Sequence, residues 1–328
     1  MGLARKVAPV GTRRRKWAAS LLNSVRPAKQ PDEGHTLKRS WARHDPGALE
    51  EYLVSGYQNP RVNAQSMLVR HYLASKLFGS EYEALAREEL EHCVKATEAL
   101  RLRAKELGVK MGSFLDDEKR ADVLEVSKVI ADWEDTYEKR WAEELKDKQA
   151  EPISVLEFAC GSANDYRFFD SYGIAKFLDY TGVDLNDNNI ANCQRRFPGV
   201  SFEVQSVLDL PYEDQSYDYV VVSDLFEHFS LEAMEKALGE ATRLARKGLV
   251  ITFFSMIDEP EHEVRPLRNY HWNRLSRPKM QQLIEQTYGP VEVIRIRDFL
   301  TNEYGYKHSY NKNAWTMIAE RAQQPAGS

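Results

Sequence analysis

The sequence predicts an α/β fold built on a parallel sheet and preceded by an all-helical region. From Ile153 onward, short apolar runs alternate with helical patterns, the order that a parallel sheet with crossover helices requires. Between Asp45 and about Asp147, apolar residues recur at helical spacing. At the junction, Ile153 to Asp165 (ISVLEFACGSAND) reads as a buried strand closed by a turn of small residues. Asn164 is the expected N-cap of the helix that follows, which carries Tyr166, Phe168 and Phe169. A strand, a small-residue turn and a helix N-terminus place backbone N–H groups where a nucleotide-like ligand approaches closely.

Composition narrows the class. The 328 residues are 42% hydrophobic and 29% charged, an ordinary globular balance with room for one large or two modest domains. No apolar run is long enough to cross a bilayer as a helix. Cys93, Cys160 and Cys193 are few and far apart, which suggests a reducing compartment, and a cytoplasmic location is expected. Residues 1–44 carry eleven Lys/Arg against Asp32 and Glu33, whereas the whole chain is −5, so a basic arm precedes an acidic body. Three readings of the arm stay open. It is a solvated tail, a peripheral anchor on an anionic membrane or nucleic acid, or a transit peptide.

The helical region, 45–150, opens on Asp45-Pro46, an N-cap followed by proline at the first helical position. Leu49, Tyr52 and Leu53 make one stripe, broken at Asn59-Pro60. Val62, Met67, Leu68, His71, Tyr72, Leu73, Leu77 and Phe78 make a second, closed by Gly79. Tyr82 to Leu100 makes a third, closed near Gly108, and Val123 to Leu145 a fourth. Asn63, Gln65, Arg70 and His71 are either a substrate surface or the groups that cap and satisfy a helical bundle.

In the α/β part, 151–322, strands are expected at Tyr180–Leu185, Phe202–Val207, Tyr219–Ser223, Gly248–Phe254, Val291–Ile296 and Ala314–Ala319. Helices are expected from Asn186 to Phe197, from Ser230 to Ala245 and from Ser276 to Tyr288, and residues 323–328 are a flexible tail. Asp184 ends its strand about twenty residues past the first turn, where an acid accepts hydrogen bonds from ribose hydroxyls.

The series V-L-E-x-A-C-G-S-A, G-V-D-L, L-P-Y-E-D-x-S-Y-D-Y-V-V-V and L-F-E-H-F resembles four successive motifs of class I S-adenosylmethionine (SAM) dependent methyltransferases of the small-molecule type. The resemblance covers about residues 150–320. It implies a Rossmann-like seven-stranded sheet of order 3-2-1-4-5-7-6, with strand 7 antiparallel and a hairpin from Thr301 to Asn313. It implies SAM as cofactor. Ala159, Cys160, Gly161 and Ala163 would line its methionine half, with alanine at two positions that are usually glycine. Glu157 would orient the turn or reach the amino group through water, Asp184 would hold the ribose, and Leu185 would lie against the adenine. The position that usually carries an adenine-binding acid falls on Ser206, so Ser206, Val207 and Leu208 would hold that ring through their backbone or a hydroxyl. Ser223 and Asp224 would face the methyl donor and acceptor.

Methyl transfer needs alignment, water exclusion and in some cases removal of a proton. His228 is a candidate base, since imidazole titrates near neutrality, or else it caps the following helix. Asp224 and His271 are its candidate catalytic companions. Asp224, Glu227 and His228 also form D-x-x-E-H, which resembles a metal motif of some methyltransferases. The long connection Met256–Arg277 is where an acceptor site would be built, with Tyr270, His271 and Trp272 in contact, unless those aromatics pack a lid. The expected acceptor is a small-molecule or glycan-type hydroxyl. Asp224-Leu225-Phe226 replaces the Asn-Pro-Pro that would mark amino methylation. RNA methylation through the basic arm and a non-catalytic SAM-binding scaffold are the alternatives.

Overall fold

In the computed structural model, seven strands form one sheet: β1 (Ile153–Phe158), β2 (Leu178–Asp184), β3 (Ser201–Val204), β4 (Tyr217–Ser223), β5 (Ala245–Phe253), β6 (Val291–Arg295) and β7 (Trp315–Glu320). The structure describes residues 63–108, 134–268, 270–308 and 311–321. The basic arm, the Asp45-Pro46 helix start, the stripe at Leu49–Leu53, the first part of the expected fourth helix and the C-terminal tail lie outside those residues.

The strand order is β3-β2-β1-β4-β5-β7-β6, with β7 antiparallel to both neighbours and the other pairs parallel, as the motif series implies. β1 and β4 are buried almost throughout because helices cover both faces, which is why they read as continuous apolar runs.

On one face lie α6 (Leu231–Leu244) and α7 (Arg277–Thr287), whose Met234, Leu238, Met280 and Ile284 pack with Leu156, Val220, Val222 and Ile251. On the other lie α1 (Ala64–Phe78), α4 (Asn164–Ser171) and α5 (Asp187–Arg196), whose Val69, Leu73, Phe169, Ile190 and Cys193 pack with Val155, Val221 and Val250. The first helix therefore completes the α/β sandwich. Gly248 admits it, since a Cβ there would stand 2.6 Å from the Tyr72 hydroxyl. α2 (Glu83–Glu106) and α3 (Glu134–Leu145) lie behind it, and α8 (Ile296–Tyr304) packs on α2 through Leu90, Cys93, Ile296 and Leu300.

α1 is fastened at its N-terminus and at its middle. Asn63 caps it, its Oδ1 accepting from the backbone N–H of Gln65 at 3.0 Å. The Gln65 amide donates to the carbonyls of Phe253 and Trp315 at 3.1 and 2.9 Å. Further along, Arg70 is buried, stacked over Tyr172 at 3.8 Å and paired with buried Glu89, which His71 also meets at 2.6 Å. Asn63, Gln65, Arg70 and His71 are thus the groups that cap and satisfy the helical packing.

Several boundaries differ from the expected ones. Ala163, not Asn164, is the N-cap of α4, because its left-handed backbone (φ 60°) turns the chain into the helix one residue early. β2 stops at Asp184, whose Oδ1 accepts from the Asn186 N–H at 2.7 Å and bends Leu185 out of the sheet. β3 stops at Val204, and Ser206 to Asp209 forms a turn through an N–H···O bond of 3.2 Å. Where the hairpin at Thr301–Asn313 is expected, α8 runs to Tyr304 and is closed by Gly305 in the left-handed region, and residues 306–308 form no strand. The apolar spacing of Ile296, Phe299 and Leu300 serves contact with α2 and overrides strand pairing there.

Candidate active site

The C-terminal ends of β1, β2 and β4 define the site, where ligands bind on open parallel sheets. After β1 the chain makes three left-handed steps at Ala159 (φ 54°), Gly161 (56°) and Ala163 (60°). Such conformations are strained for alanine and free for glycine, so the turn keeps only residues with the least side chain. A Cβ at Gly161 would enter open space, with no atom within 4 Å. The turn therefore presents bare backbone to a ligand, which fits the methionine end of SAM.

Strand ends and α5 hold this turn. The Gly161 N–H donates to Asp184 Oδ2 at 3.0 Å, and the Cys160 N–H donates to the Val183 carbonyl at 3.0 Å. Arg196 donates to the Ser162 carbonyl, and the Cys193 thiol to the Gly161 carbonyl at 3.2 Å. The Cys160 side chain is buried beneath the turn, so its backbone alone faces a ligand. Glu157 is buried too and accepts from the Tyr180 hydroxyl at 2.5 Å. Burial, with Asp165 nearby, raises its carboxyl well above the usual range. That placement suits a residue that supports the turn from below.

Next to Asp184, Leu185 is 75% exposed, a large apolar side chain offered to the ligand side of the sheet. Ser206 lies across from it in the turn after β3, with its hydroxyl accepting from the Leu208 N–H at 3.3 Å. Val207 is buried in the core, whereas Leu208 is half-buried.

At the tip of β4, Ser223 donates to Asp165 Oδ2 at 3.4 Å, and Ser66 of α1 lies beside that carboxyl. Burial raises the Asp165 carboxyl above its ordinary value. Asp165 and Ser66 escaped the sequence reading. The signal that would have found Asp165 is an acid in the first turn of the helix after the motif turn. Nothing in the sequence pointed to Ser66. Asp224 follows in a left-handed conformation (φ 52°) and accepts from the Thr252 hydroxyl at 3.1 Å. Asp224 is exposed, yet the surrounding protein pushes its carboxyl up to about 6, with Asp165 adding to the effect.

Beyond Asp224 the chain makes a short helical turn, Phe226–His228, and Ser230 caps α6 by accepting from the Ala233 N–H at 3.2 Å. The cap role considered for His228 thus belongs to Ser230. His228 Nδ1 lies 3.2 Å from the His271 carbonyl, so Nδ1–H donates and Nε2 is the ring's proton acceptor. Phe254, Trp272 and Tyr270 surround the imidazole at 5.3, 5.4 and 6.0 Å between ring centroids. His271 meets His228 through its backbone carbonyl.

Glu227 points the other way. It is fully buried, and Oε1 accepts from the Ser255 N–H at 3.0 Å, while Oε2 has no hydrogen-bond partner among the described residues. Burial, with Asp224 adding, pushes this carboxyl up to about 8. Asp224, Glu227 and His228 face three different partners, and no cluster of three metal-ligating side chains occurs among the described residues.

The connection from Met256 to Ser276 folds over this end. Residues 266–267 and 270–271 pair as a short antiparallel hairpin, and Glu263 pairs with Arg274 at its base. Asn273 pins that base: its N–H donates to the Glu227 carbonyl at 2.9 Å, its amide to the Phe229 carbonyl at 2.7 Å, and its Oδ1 accepts from the Arg265 N–H at 2.9 Å.

A seven-stranded sheet of this order, with a backbone cradle after β1 and an acid ending β2, defines a nucleotide-type cofactor domain of the methyl-transferring class. A family described as "Methyltransferase domain" matches residues 155–248. A phthiotriol/phenolphthiotriol dimycocerosates methyltransferase of Mycobacterium ulcerans is 32% identical over 115 residues, 34% of this chain and 39% of that protein. A probable S-adenosylmethionine-dependent methyltransferase of Mycolicibacterium smegmatis is 28% identical over 145 residues, 42% of this chain and 52% of that protein. The chain thus spans about two fifths to one half of the length of these curated relatives. Among solved structures, the Burkholderia thailandensis 1,6-didemethyltoxoflavin-N1-methyltransferase overlaps 57% of this chain and 77% of its own, at 17% identity and a TM-score of 0.41. The family match at residues 155–248 and these relatives support a class I SAM-dependent methyltransferase.

Proposed function

We propose that the protein transfers the methyl group of SAM to a hydroxyl oxygen of a small-molecule acceptor, lipid-like or glycan-type. The observation that carries this reading is a pair of features in the segments that follow β1, β2 and β4. A bare-backbone turn tied to Asp184 follows β1. After β4, His228 has its Nε2 set as proton acceptor inside an aromatic wall. When bound, SAM supplies an already activated methyl group.

The residues of the chain then have separable tasks. Ala159, Gly161 and Ala163 leave room for close backbone approach, and Asp184 holds the ribose. Leu185 with Ser206, Leu208 and the backbone of Val207 receives the adenine, and Ser223 and Asp224 line the passage between donor and acceptor. Tyr270, His271 and Trp272 cover the acceptor and exclude water. His228 takes the hydroxyl proton on Nε2, with its ring orientation set by the His271 carbonyl. The relatives named for phthiotriol and phenolphthiotriol acceptors are in keeping with a hydroxyl acceptor.

Calorimetric titration with SAM, followed by a screen of hydroxylated metabolites and lipids with methyl-labelled SAM, tests this reading. Micromolar SAM binding and a labelled hydroxylated product are expected. SAM binding with no labelled product from any acceptor would favour the scaffold reading, and absence of SAM binding by the folded protein would overturn the proposal. Label transferred to RNA instead would favour the alternative in which the basic arm, 1–44, binds nucleic acid.

A further inference from the structure

We propose that the hairpin from Val264 to Arg274 is a membrane-docking element that seats this face of the protein on an anionic lipid surface. Eight large apolar side chains are well exposed among the described residues, and four of them, Val264, Leu267, Tyr270 and Trp272, fall within this one stretch. Each is 42–44% exposed, and such clustering marks an interaction surface, whereas single exposed apolar residues scattered over a protein mean little.

The charges are equally local. Residues 264–274 contain Arg265, Arg268 and Arg274 and no acid, on a chain whose net charge is −5. Arg265 and Arg274 both meet Glu263 at the base. Arg268, at the tip in a left-handed conformation (φ 40°), has no ion-pair partner among the described residues. Apolar and aromatic side chains next to arginine suit the boundary between lipid headgroups and acyl chains. A single-stranded RNA would match the arginines and the rings, but it would gain nothing from Val264 and Leu267. The aliphatic pair therefore favours lipid.

The hairpin is built to hold this pose. Asn273 and the Glu263–Arg274 bridge fix its base, and Leu267 pairs with Tyr270 across the strands. From there the apolar surface runs without a break through Tyr270 and Trp272 to His228 and Phe254. Docking stands apart from the methyl-transfer reading. Only the consequence that an amphiphilic acceptor slides from the lipid along this surface to His228 rests on it.

The test sediments the full-length protein with vesicles of phosphatidylcholine alone, or mixed equally with phosphatidylglycerol, without SAM. The wild type should bind the anionic vesicles, and Leu267→Asp and Arg268→Glu should each weaken that binding by about tenfold, with melting temperature and SAM affinity unchanged. Vesicles of brominated phosphatidylcholine and phosphatidylglycerol should quench tryptophan fluorescence in the wild type, and Trp272→Phe should remove that quenching. The proposal is overturned if the wild type ignores the vesicles, or if both variants bind as well as wild type, which would assign binding to the basic arm. It is overturned too if the variants lose single-stranded RNA binding while vesicle binding persists.

Discussion

The Gly161 N–H donates to Asp184 Oδ2 at 3.0 Å, so the tip of β2 holds the turn that leaves β1. One carboxylate thereby shapes the backbone cradle, and in the proposed function its remaining lone pairs meet the ribose. Asp184→Ala should lose both contributions. A lost hydrogen bond to a charged group costs about 1.5–3 kcal/mol, so SAM affinity should fall by roughly ten- to a hundredfold. Calorimetry on the folded variant checks this, and wild-type affinity would remove Asp184 from the cofactor site.

His228 carries the proposed proton transfer. His228→Ala should lower kcat by about 10²- to 10⁴-fold and leave SAM affinity near wild type, and the acid limb of the pH–rate profile should disappear. If the imidazole only packs within the aromatic cluster, the variant should lose stability and keep both turnover and the acid limb. Chelator should leave the wild type unaffected, since Asp224, Glu227 and His228 do not converge.

Glu227 predicts a pH dependence of stability. Its carboxyl is pushed up to about 8 by burial, against the ordinary 4.5. Between those values the native state keeps a proton that the unfolded chain has lost, so stability should fall as pH rises from about 4.5 to about 8. Glu227→Gln removes the titration and should flatten the fall. Urea unfolding of both proteins across that range decides, and identical slopes would contradict the assignment.

Glu89 works in the opposite sense. Burial disfavours its charge, but the Arg70 guanidinium and the His71 hydrogen bond outweigh that and hold it low, at about 2. The stability it contributes is present above the ordinary carboxylate value and is lost as pH falls from about 4.5 towards 2. Glu89→Gln strands the buried Arg70 charge and should destabilise by about 3–5 kcal/mol in denaturant unfolding at neutral pH. Because Ser66 and Gln65 lie one to two turns up the same helix, loosened packing should also weaken SAM binding. Unchanged stability would show that α1 docks by its apolar face alone.

The sequence by itself determined the alternation of strands and helices and the small-residue turn after β1, while the strand order came from the resemblance of its motif series to class I methyltransferases. The alternation and the turn rest on local signals: buried apolar runs, small residues where the backbone turns left-handed, and an acid at a fixed remove from the first turn. The Ser276 cap and proline start of α7 and the Gly79 stop of α1 were legible for the same reason. What needed tertiary structure is everything made by contact between distant segments. Periodicity marked α1 as a helix, but only packing shows it completing the sandwich and placing Ser66 on Asp165. The L-F-E-H-F stretch looked like one cluster of polar ligands. The short helical turn Phe226–His228 sends Glu227 into the core and His228 into an aromatic pocket, while Ser230 takes the helix cap. Residues close in sequence share a site only when the backbone between them points them the same way, and that direction is set by long-range partners such as Ser255, Thr252 and His271.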